Sequence, residues 1–422
     1  MMECSWKAIL LVAFASLGIQ YSAIKSLRKA NAPCPSMPIL NQCLQKDIKD
    51  NATRLLCEDI NKLRSSHKEQ TRKHIIIFAT TRTGSSFVGQ IFNQHPDVFY
   101  LFEPLYHLQK SFNDFGLQTE KTQKLIVGAF RDLLHNLYNC GFSFIENSLS
   151  WKPQNHIARS MFRRGVSIAL CSPPLCDKVQ KVESVCLRKC KPLNFTLVSE
   201  TCLKYKNIAM KTVRMSEIID LRTLVEDPRM NFKIIHLVRD PRGILASRIS
   251  TFIDIYQQWQ IWNTTGKQPR NIDFEQITTT CTDLSNSVKT GLSRPSWLKG
   301  KYMLVRYEDI AMDPIKKAKE MYDFIGLDWK EEVQLWIEQN TNVSIAIKEK
   351  YSSGNTKFST NRNSAENSEN WRLHLCLDIV QKLQTLCGVT LSLLGYKMVN
   401  SVEELKNLSN SLVEPRIFLP FT

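Results

Sequence analysis

The segment IIIFATTRTGSSFVGQIF, residues 75–92, joins a run of mostly β-branched apolar residues to a polar loop and then to an apolar pattern at helical spacing. The apolar run stops at Thr80, and the loop contains one glycine, Gly84. This order is typical of a buried strand, a tight loop and a helix. Because backbone N–H groups of such a loop and the helix N-terminus converge on one point, the segment predicts an anion site.

The composition of the loop indicates which anion. Gly84 lets the backbone approach a ligand closely, and Arg82 supplies positive charge. Hydroxyl donors come from Thr80, Thr81, Thr83, Ser85 and Ser86. The pattern G-x-x-x-x-G-K-[ST] is absent, since its first glycine and its lysine are missing. The loop therefore predicts a phosphate cradle without a dedicated magnesium site. An ordinary turn with a serine N-cap is the alternative.

A second loop, HLVRDPRGILASR (236–248), also follows a strand-like apolar run. Asp240 and Pro241 predict the start of a helix. Arg239, Arg242 and Arg248 crowd this helix start, where the helix dipole disfavours cations. A phosphate among the three guanidinium groups would explain them. Two anion sites at the ends of two parallel strands indicate a nucleotide with two separated phosphates.

Three further segments have the pattern of buried strands. They are VFYLF (98–102), IAMKTV (208–213) and YMLVRY (302–307), in addition to FKIIHLV (232–238). Helical patterns lie around 121–138, 216–226 and 314–325. Alternating strands and helices predict an α/β fold, a P-loop-like open parallel sheet with helices on both faces. The polar segment 351–370 predicts a long loop.

The chain has 422 residues, a net charge of +16 and a sequence pI of about 9.2. This basic surplus favours an anionic partner, although a generic solvated surface is the alternative. Residues 8–24 carry no charge and are long enough for a short membrane anchor, which we favour over a cleaved signal peptide. The organisation predicted is a cytoplasmic tail (1–7), the anchor (8–24), a lumenal stem (25–72) and one globular domain (73–422).

Cysteines and glycosylation sequons bear on the compartment. Thirteen cysteines are present, and the segment 170–203 is a cysteine-rich insertion containing Cys171, Cys176, Cys186, Cys190 and Cys202. Disulfides in an oxidising lumen are the favoured interpretation, with zinc held by Cys186 and Cys190 as the alternative. Sequons occur at Asn51, Asn194, Asn263, Asn342 and Asn407. Both features place residues 25–422 in the lumen, although Lys25, Arg28 and Lys29 oppose that orientation.

The segments TTRTGSSFVGQIFNQHPDVFYLFEP (80–104) and LVRDPRGILASR (237–248) resemble the 5′-phosphosulfate and 3′-phosphate motifs of Golgi carbohydrate sulfotransferases. The chain is most similar to the galactose, N-acetylglucosamine and N-acetylgalactosamine 6-O-sulfotransferases, and among these to the keratan sulfate galactose 6-sulfotransferases. CSWKAILL, GLSRPSWLKGKYMLVRYED and LGYKM also match. The similarity covers the anchor and nearly all of 73–422, and it is weakest in 25–72. Thr83 departs from the family, which usually has serine there.

The resemblance implies a single sulfotransferase domain that uses 3′-phosphoadenylyl sulfate (PAPS) as donor, with no metal. Residues 80–86 would hold the 5′-phosphosulfate, with Arg82, Ser85 and Ser86 near the transferred group. The 3′-phosphate would be held mainly by Arg239 and Ser247. The full 3′-phosphate segment is Arg239, Asp240, Pro241, Arg242, Gly243, Ile244, Leu245, Ala246 and Ser247.

The resemblance further implies a glycan acceptor. The 6-hydroxyl of galactose in keratan sulfate or related N-acetyllactosamine chains is expected, and N-acetylglucosamine or N-acetylgalactosamine (chondroitin) is the alternative. The protein would be a single-pass type II Golgi membrane protein with a lumenal catalytic domain. Nucleic acid is not an expected partner, and a homo-oligomer is left open.

The attacking hydroxyl must lose a proton, so a general base is needed. Glu103 follows the strand 98–102 on the ligand side of the sheet, where its pKa is expected to be raised. A purely structural ion pair is the alternative, and His107 is the rival base or a substrate contact. Lys211 and Arg214 are expected either to face this cleft or to pair with acids. Arg306 and Glu308 are expected to be structural.

Two other classes of function compete with this one. A P-loop kinase or GTPase is opposed by the missing lysine, the anchor and the sequons. A non-catalytic lumenal glycoprotein could bind heparin-like chains through the two basic loops. Affinity for 3′,5′-ADP separates these classes, because only the sulfotransferase requires it.

Overall fold

The computed structural model describes residues 72–114, 120–142, 161–341 and 368–422. The predicted tail, anchor and nearly all of the stem lie outside the described residues, as do Asn51, Asn342 and nearly all of the loop 351–370. Among the helices of the described ranges, none has both the length and the apolar character needed to cross a membrane.

A five-stranded parallel sheet forms the centre of the domain, in the order β2-β3-β1-β4-β5. Its strands are β1 (Lys73–Ala79), β2 (Val98–Phe102), β3 (Asn207–Thr212), β4 (Asn231–Val238) and β5 (Tyr302–Arg306). The four strands predicted after the first loop are confirmed to within a residue at each end. Their continuous apolar character follows from burial on both faces, as in all-parallel sheets.

Helices surround the sheet. They are α1 (Ser85–Asn93), α2 (Tyr106–Asp114), α3 (Glu120–Tyr138), α4 (Glu183–Lys189), α5 (Phe195–Lys204), α6 (Arg222–Val225), α7 (Pro241–Thr251), α8 (Gln257–Thr265), α9 (Glu275–Leu292), α10 (Tyr307–Met312), α11 (Pro314–Ile325), α12 (Glu331–Thr341), α13 (Trp371–His374), α14 (Leu377–Leu394) and α15 (Val402–Lys406). Short 3₁₀ segments are Met161–Val166, Ala169–Cys171, Ile218–Leu221 and Ser296–Leu298.

The helices predicted around 121–138 and 314–325 are confirmed. The pattern at 216–226 is instead a 3₁₀ turn, Ile218–Leu221, followed by the single-turn helix α6. Glu217 and Asp220 cap the backbone of this turn reciprocally. Pro228 follows shortly afterwards, and the residue before a proline disfavours helix.

Alternation along the strands divides the apolar core into two layers. Ile76 and Phe78 face one layer, whereas Ile75, Ile77 and Ala79 face the other. All five residues are at most 3% exposed. The sheet is therefore covered on both faces, as the sequence predicted.

The helices that follow β1 and β4 lie on opposite faces of the sheet. In α1, Val88 and Ile91 pack in the layer that contains Ile77. In α7, Leu245 and Ile249 pack in the layer that contains Phe78. Because β1 and β4 are neighbours, the two connections diverge at the carboxyl edge of the sheet and open a crevice there. Ligands of open α/β sheets bind at such a point.

Four disulfides lie within the described residues: Cys140–Cys202, Cys171–Cys186, Cys176–Cys190 and Cys281–Cys387. The disulfide interpretation of the insertion 170–203 is confirmed. The zinc alternative for Cys186 and Cys190 is wrong, because each sulfur is bonded to another cysteine. Outside the insertion, Cys376 is a free thiol among the described residues.

Candidate active site

The loop after β1 is closed by its own backbone and one hydroxyl. The carbonyl of Thr80 accepts the backbone N–H of Thr83 at 3.3 Å and the Thr83 hydroxyl at 2.8 Å. Arg82 and Gly84 both adopt left-handed conformations, with φ of 75° and 87°. Thr83 is fully buried, so its hydroxyl shapes the loop from inside. The family's usual serine is replaced here without loss of a hydroxyl.

Helix α1 begins without a capping side chain. Gly84 is its N-cap residue, and its first turn contains no acidic residue. The alternative of a serine N-cap is therefore wrong. The backbone N–H groups at a helix start lack intrahelical partners and carry partial positive charge. The loop and the start of α1 thus offer an anion the donors that the sequence predicted, with Ser85 and Ser86 in the first turn.

The second loop lies on the adjacent strand and bonds to the first. Ala79 and Leu237 are paired in the sheet, so the two loops leave it side by side. Arg239 Nη1 donates to the carbonyl oxygen of Arg82 at 3.0 Å. Arg82 Nε donates to Ser247 Oγ at 2.9 Å. The two predicted phosphate segments therefore form one continuous surface.

Arg239 combines burial with an unused donor. Its residue is 8% exposed, and its Nε is buried without a hydrogen-bond partner in the ranges that the structure describes. Its guanidinium carbon lies 4.3 Å from the ring centre of Tyr307. Gly243 leaves room for it, since a Cβ there would lie 3.1 Å from Arg239 Nε. A buried guanidinium with an unpaired N–H is suited to an anionic ligand.

The other two arginines of this segment are directed elsewhere. The fully buried Arg242 pairs with Asp240 at 2.7 Å and donates to Gln384 Oε1 and the Lys397 carbonyl. Arg248 donates to Thr280 Oγ1 at 3.1 Å. The expectation that all three guanidinium groups surround one phosphate is wrong. Positions six apart on a helix point in directions roughly 120° apart around its axis, so Arg242 and Arg248 meet different neighbours.

The remaining residues of the segment have structural surroundings. Asp240 caps α7 by accepting the backbone N–H of Arg242 at 2.8 Å, and Pro241 occupies the first turn, as predicted. Ile244 and Leu245 are buried in the core, and Ala246 is half-buried. A carboxylate already occupies the start of α7. Binding of the 3′-phosphate by residues 239–247 stays a prediction, supported mainly by Arg239 and Ser247.

Glu103 follows β2 on the same edge of the sheet. Neighbouring strands are about 4.8 Å apart and β3 lies between β2 and β1, so Glu103 is about 10 Å from the start of the 80–86 loop. Its carboxylate forms ion pairs with Lys211 and with Arg214 Nη2, the latter at 2.7 Å. The alternative that Lys211 and Arg214 pair with an acid is confirmed.

The electrostatics of Glu103 differ from the expectation. Burial alone would raise the pKa of Glu103, but the charges and hydrogen bonds of Lys211 and Arg214 outweigh it, so the pKa is lowered. The expected raised pKa is therefore wrong. Burial also lowers the pKa of Lys211, whose Nζ lies 4.4 Å from the Phe102 ring centre. Glu103 is consequently held in its ionised form.

His107 lies in the first turn of α2. Its ring centre is 5.3 Å from that of Tyr106, and its carbonyl accepts the Ser111 hydroxyl at 2.8 Å. The Tyr106 ring in turn lies 5.2 Å from the guanidinium carbon of Arg214, which bonds to Glu103. His107 is therefore near the Glu103 cluster, and its role as a base or an acceptor contact stays a prediction.

Glu308 is structural, as expected. It is fully buried, accepts the Asp240 backbone N–H at 3.0 Å and accepts the Tyr396 hydroxyl at 2.7 Å. Burial and the nearby Asp240 raise the pKa of Glu308 to about 7. Arg306 is likewise committed, to Asp309 and to the carbonyls of Leu394 and Glu414.

Two residues near the site were missed. Tyr307 directly follows β5 and is the last residue of the predicted strand 302–307. Its position at the carboxyl end of that strand was the signal that could have found it. Arg163 pairs with Glu183 at 2.8 Å and places its guanidinium carbon 5.4 Å from the Phe102 ring centre. Residues 161–166 have no periodic pattern, so the sequence gives no signal for Arg163.

The start of α1 has no capping side chain and lies beside Arg239, a buried arginine that directly follows the adjacent strand β4. Together with the ionised Glu103 on the same edge of the sheet, this arrangement fits the transfer of an anionic group from a nucleotide. The sulfotransferase domain model matches residues 72–400, and the chain belongs to that family. It is a sulfotransferase enzyme. The resemblance seen in the sequence is thereby confirmed.

Curated relatives indicate the branch of the family. The chain is 49% identical to carbohydrate sulfotransferase 1 of Danio rerio and 48% identical to carbohydrate sulfotransferase 1 of Homo sapiens, with all of each chain covered. It is 41% identical to carbohydrate sulfotransferase 3 of Tetronarce californica, covering 82% of this chain and 78% of that protein. The chain is a member of the carbohydrate sulfotransferases.

Proposed function

We propose that this protein transfers sulfate from PAPS to the 6-hydroxyl of galactose in keratan sulfate or related N-acetyllactosamine glycans. The observation that carries the donor assignment is the direct contact between the two loops that follow β1 and β4. One loop leads into a helix start that no side chain caps, and in the other the buried Nε of Arg239 has no hydrogen-bond partner among the described residues. The full-length similarity to proteins named carbohydrate sulfotransferase 1 supports the acceptor class.

The residues present fit such a donor. The 5′-phosphosulfate would bind at residues 80–86, where backbone N–H groups of the α1 start, Arg82, Ser85 and Ser86 can donate to it. The 3′-phosphate would bind Arg239 and Ser247. No cluster of metal-ligating side chains occurs in the residues that the structure describes. Two guanidinium groups and a helix start supply positive charge at this site.

The bound donor would supply a sulfuryl group that is attached to a good leaving group, the 5′-phosphate of the nucleotide. The sugar 6-oxygen forms a bond to sulfur as the bond between sulfur and the phosphate oxygen breaks, leaving 3′,5′-ADP. Negative charge grows on that phosphate oxygen, and Arg82 with the first-turn N–H groups of α1 stabilises it. The hydroxyl proton passes to Glu103.

Glu103 suits this role because Lys211 and Arg214 hold it ionised and fix both of its oxygens. The same pairing lowers its affinity for a proton. Proton transfer is therefore late, after bond formation to sulfur has made the hydroxyl acidic. His107 is the alternative base within reach of this cluster.

We also propose that residues 73–422 lie in the Golgi lumen behind the 8–24 anchor. Four disulfides within the described residues suit an oxidising compartment. Asn194 and Asn407 are exposed on the surface. Their sequons are therefore accessible for glycosylation. Asn51 and Asn342 lie outside the described residues and stay predicted sites.

The test of the proposed function supplies radiolabelled PAPS with keratan, chondroitin and N-acetyllactosamine acceptors and locates the sulfate on the product. Sulfate on galactose O6 of keratan or N-acetyllactosamine is expected. Sulfate on N-acetylglucosamine or N-acetylgalactosamine would select the alternative acceptor. Absence of transfer to every glycan by a folded, secreted enzyme would contradict the proposal.

A further inference from the structure

Tyr307 contacts both donor loops. It directly follows β5, and because Val238 pairs with Arg306 in the sheet, Tyr307 is level with Arg239. Its ring also reaches the loop after β1, on the far side of β4. A Cβ at Gly84 would lie 2.5 Å from Tyr307 Cδ2, so the ring edge abuts the glycine.

The face of the same ring carries the Arg239 guanidinium. The guanidinium carbon lies 4.3 Å from the ring centre, within the range in which a cation is attracted by an aromatic face. Arg239 in turn bonds to the carbonyl of Arg82. The ring, the arginine and residues 82–84 thus form a closed set of contacts.

The backbone at Tyr307 is fixed by the hydrogen bonds of the next residue, Glu308. The neighbouring Glu308 is fully buried and bonds to the Asp240 N–H at 3.0 Å and to the Tyr396 hydroxyl at 2.7 Å. Asp240 directly follows Arg239. The segment that presents the aromatic ring and the segment that presents the guanidinium are therefore fixed to each other at two adjacent positions.

We propose that Tyr307 is a positioning residue that couples the two ends of the donor site. Its ring face orients Arg239 toward the 3′-phosphate, and its ring edge sets the position of the loop that holds the 5′-phosphosulfate. This inference rests on the proposed function, because it takes the nucleotide as the ligand of both loops. The contacts with Arg239 and Gly84 are made by the aromatic ring.

The test compares Tyr307→Leu with Tyr307→Phe as the matched control. Isothermal titration measures the affinities for 3′-AMP, 5′-AMP and 3′,5′-ADP. Tyr307→Leu keeps an apolar side chain but removes the aromatic face, and should weaken 3′-AMP and 3′,5′-ADP binding between about twofold and thirtyfold. It should also weaken 5′-AMP binding, because the loop at Gly84 loses the ring edge that packs against it. Tyr307→Phe should bind all three nucleotides as the wild type does.

Kinetics provide a readout that a general loss of stability would not give. Tyr307→Leu should raise the KM for PAPS and leave the KM for the glycan unchanged, and Tyr307→Phe should restore the donor KM. Should Tyr307→Leu not fold, phenylalanines with increasing fluorination at position 307 provide the second series. Fluorine reduces the attraction of the ring face at nearly constant shape, so nucleotide affinity should fall stepwise.

The outcomes separate the two proposals. If the wild type binds 3′,5′-ADP and the leucine variant or the fluorinated series binds it equally well, the coupling role is wrong and the donor assignment stands. Equal losses in Tyr307→Phe and Tyr307→Leu would also overturn the inference, because the ring face would not be the cause. If the folded wild type binds none of the three nucleotides, the proposed function itself is wrong.

Discussion

Arg82 and Ser247 are hydrogen-bonded, with Arg82 Nε donating to Ser247 Oγ at 2.9 Å. The resemblance implies that they contact different parts of the donor, Arg82 the transferred group and Ser247 the 3′-phosphate. Because the two side chains touch, the proposed site of the transferred group and the proposed site of the 3′-phosphate share a direct side-chain contact. The donor site is therefore one cluster of interacting side chains, and a change in one loop is expected to affect the other.

Ser247→Ala should weaken 3′,5′-ADP binding about tenfold or more, because it removes a hydrogen bond to a charged phosphate, typically worth about 1.5–3 kcal/mol. Binding of 5′-AMP should change less, since that nucleotide lacks the 3′-phosphate. Ser250→Ala is the control, because Ser250 is on the same helix, exposed, and donates to the Ser247 carbonyl. Equal affinities in both variants and the wild type would remove Ser247 from the donor site.

Glu103→Gln should reduce turnover by about 10²- to 10⁴-fold, the usual contribution of a general base, while 3′,5′-ADP still binds. Lys211 then lacks its charged partner, so some loss of stability is also expected. Single-turnover kinetics of the folded variant measure the effect. His107→Ala should mainly raise the acceptor KM. Near-normal turnover in Glu103→Gln together with an inactive, folded His107→Ala would transfer the role to His107.

The pH–rate profile separates the same two residues. The pKa of Glu103 is lowered from its ordinary value of 4.5, despite burial, by Lys211 and Arg214. If Glu103 is the base, it stays ionised at pH 4.5 and above, and the acid limb of the pH–rate profile should lie below pH 4.5. A histidine base would give a limb near its reference pKa of about 6.5. A limb near 6.5 that disappears in His107→Ala would contradict the assignment of Glu103.

Stability should depend on pH through Glu308. Burial and Asp240 raise the pKa of Glu308 from 4.5 to about 7. The folded state then binds a proton at Glu308 more tightly than the unfolded state does. The contribution of this proton to the free energy of unfolding is therefore fully present below pH 4.5 and is lost as the pH rises from 4.5 to about 7. The loss is about 1.4 kcal/mol for each pH unit in this interval. Urea unfolding at several pH values should show a steeper decline for the wild type than for Glu308→Gln, which cannot titrate. Parallel profiles would refute this.

Glycan occupancy should differ among the sequons. Asn263 Nδ2 donates to the His374 carbonyl at 2.7 Å, and its Oδ1 accepts the Cys376 backbone N–H at 2.8 Å. A glycan on that nitrogen would disrupt the contact, so Asn263 should be unmodified in the folded enzyme. Asn194 is exposed and its Oδ1 accepts the Leu197 backbone N–H to cap α5, a contact that leaves the nitrogen out, so Asn194 should be modified. Glycopeptide mass spectrometry measures occupancy. A glycan at Asn263 of the active enzyme would contradict this.

The sequence predicted the parts of the fold that depend on local patterns. The strands are continuous apolar runs, and helix α11 has Pro314 in its first turn and Gly326 after its end, both common helix signals. The two loops were found for the same reason, since their glycine, hydroxyls and arginines are contiguous in the chain.

The missed features depend on distant partners. Arg242 turns toward Gln384 and Lys397, more than 140 residues away, so its direction could not be read from HLVRDPRGILASR. The pKa of Glu103 depends on Lys211, which lies within β3, and on Arg214, which lies just after that strand. Tyr307 became significant only when the sheet order placed β5 beside β4.

The most direct test of the proposed donor site is a calorimetric titration of the folded enzyme with 3′,5′-ADP, comparing the wild type with Arg239→Ala and Arg188→Ala. Arg239 is buried at the proposed 3′-phosphate site, whereas Arg188 is an exposed arginine of the disulfide-rich segment. Arg239→Ala should weaken binding at least about tenfold, and Arg188→Ala should bind as the wild type does. Unchanged affinity in a folded Arg239→Ala variant would contradict the proposed donor site.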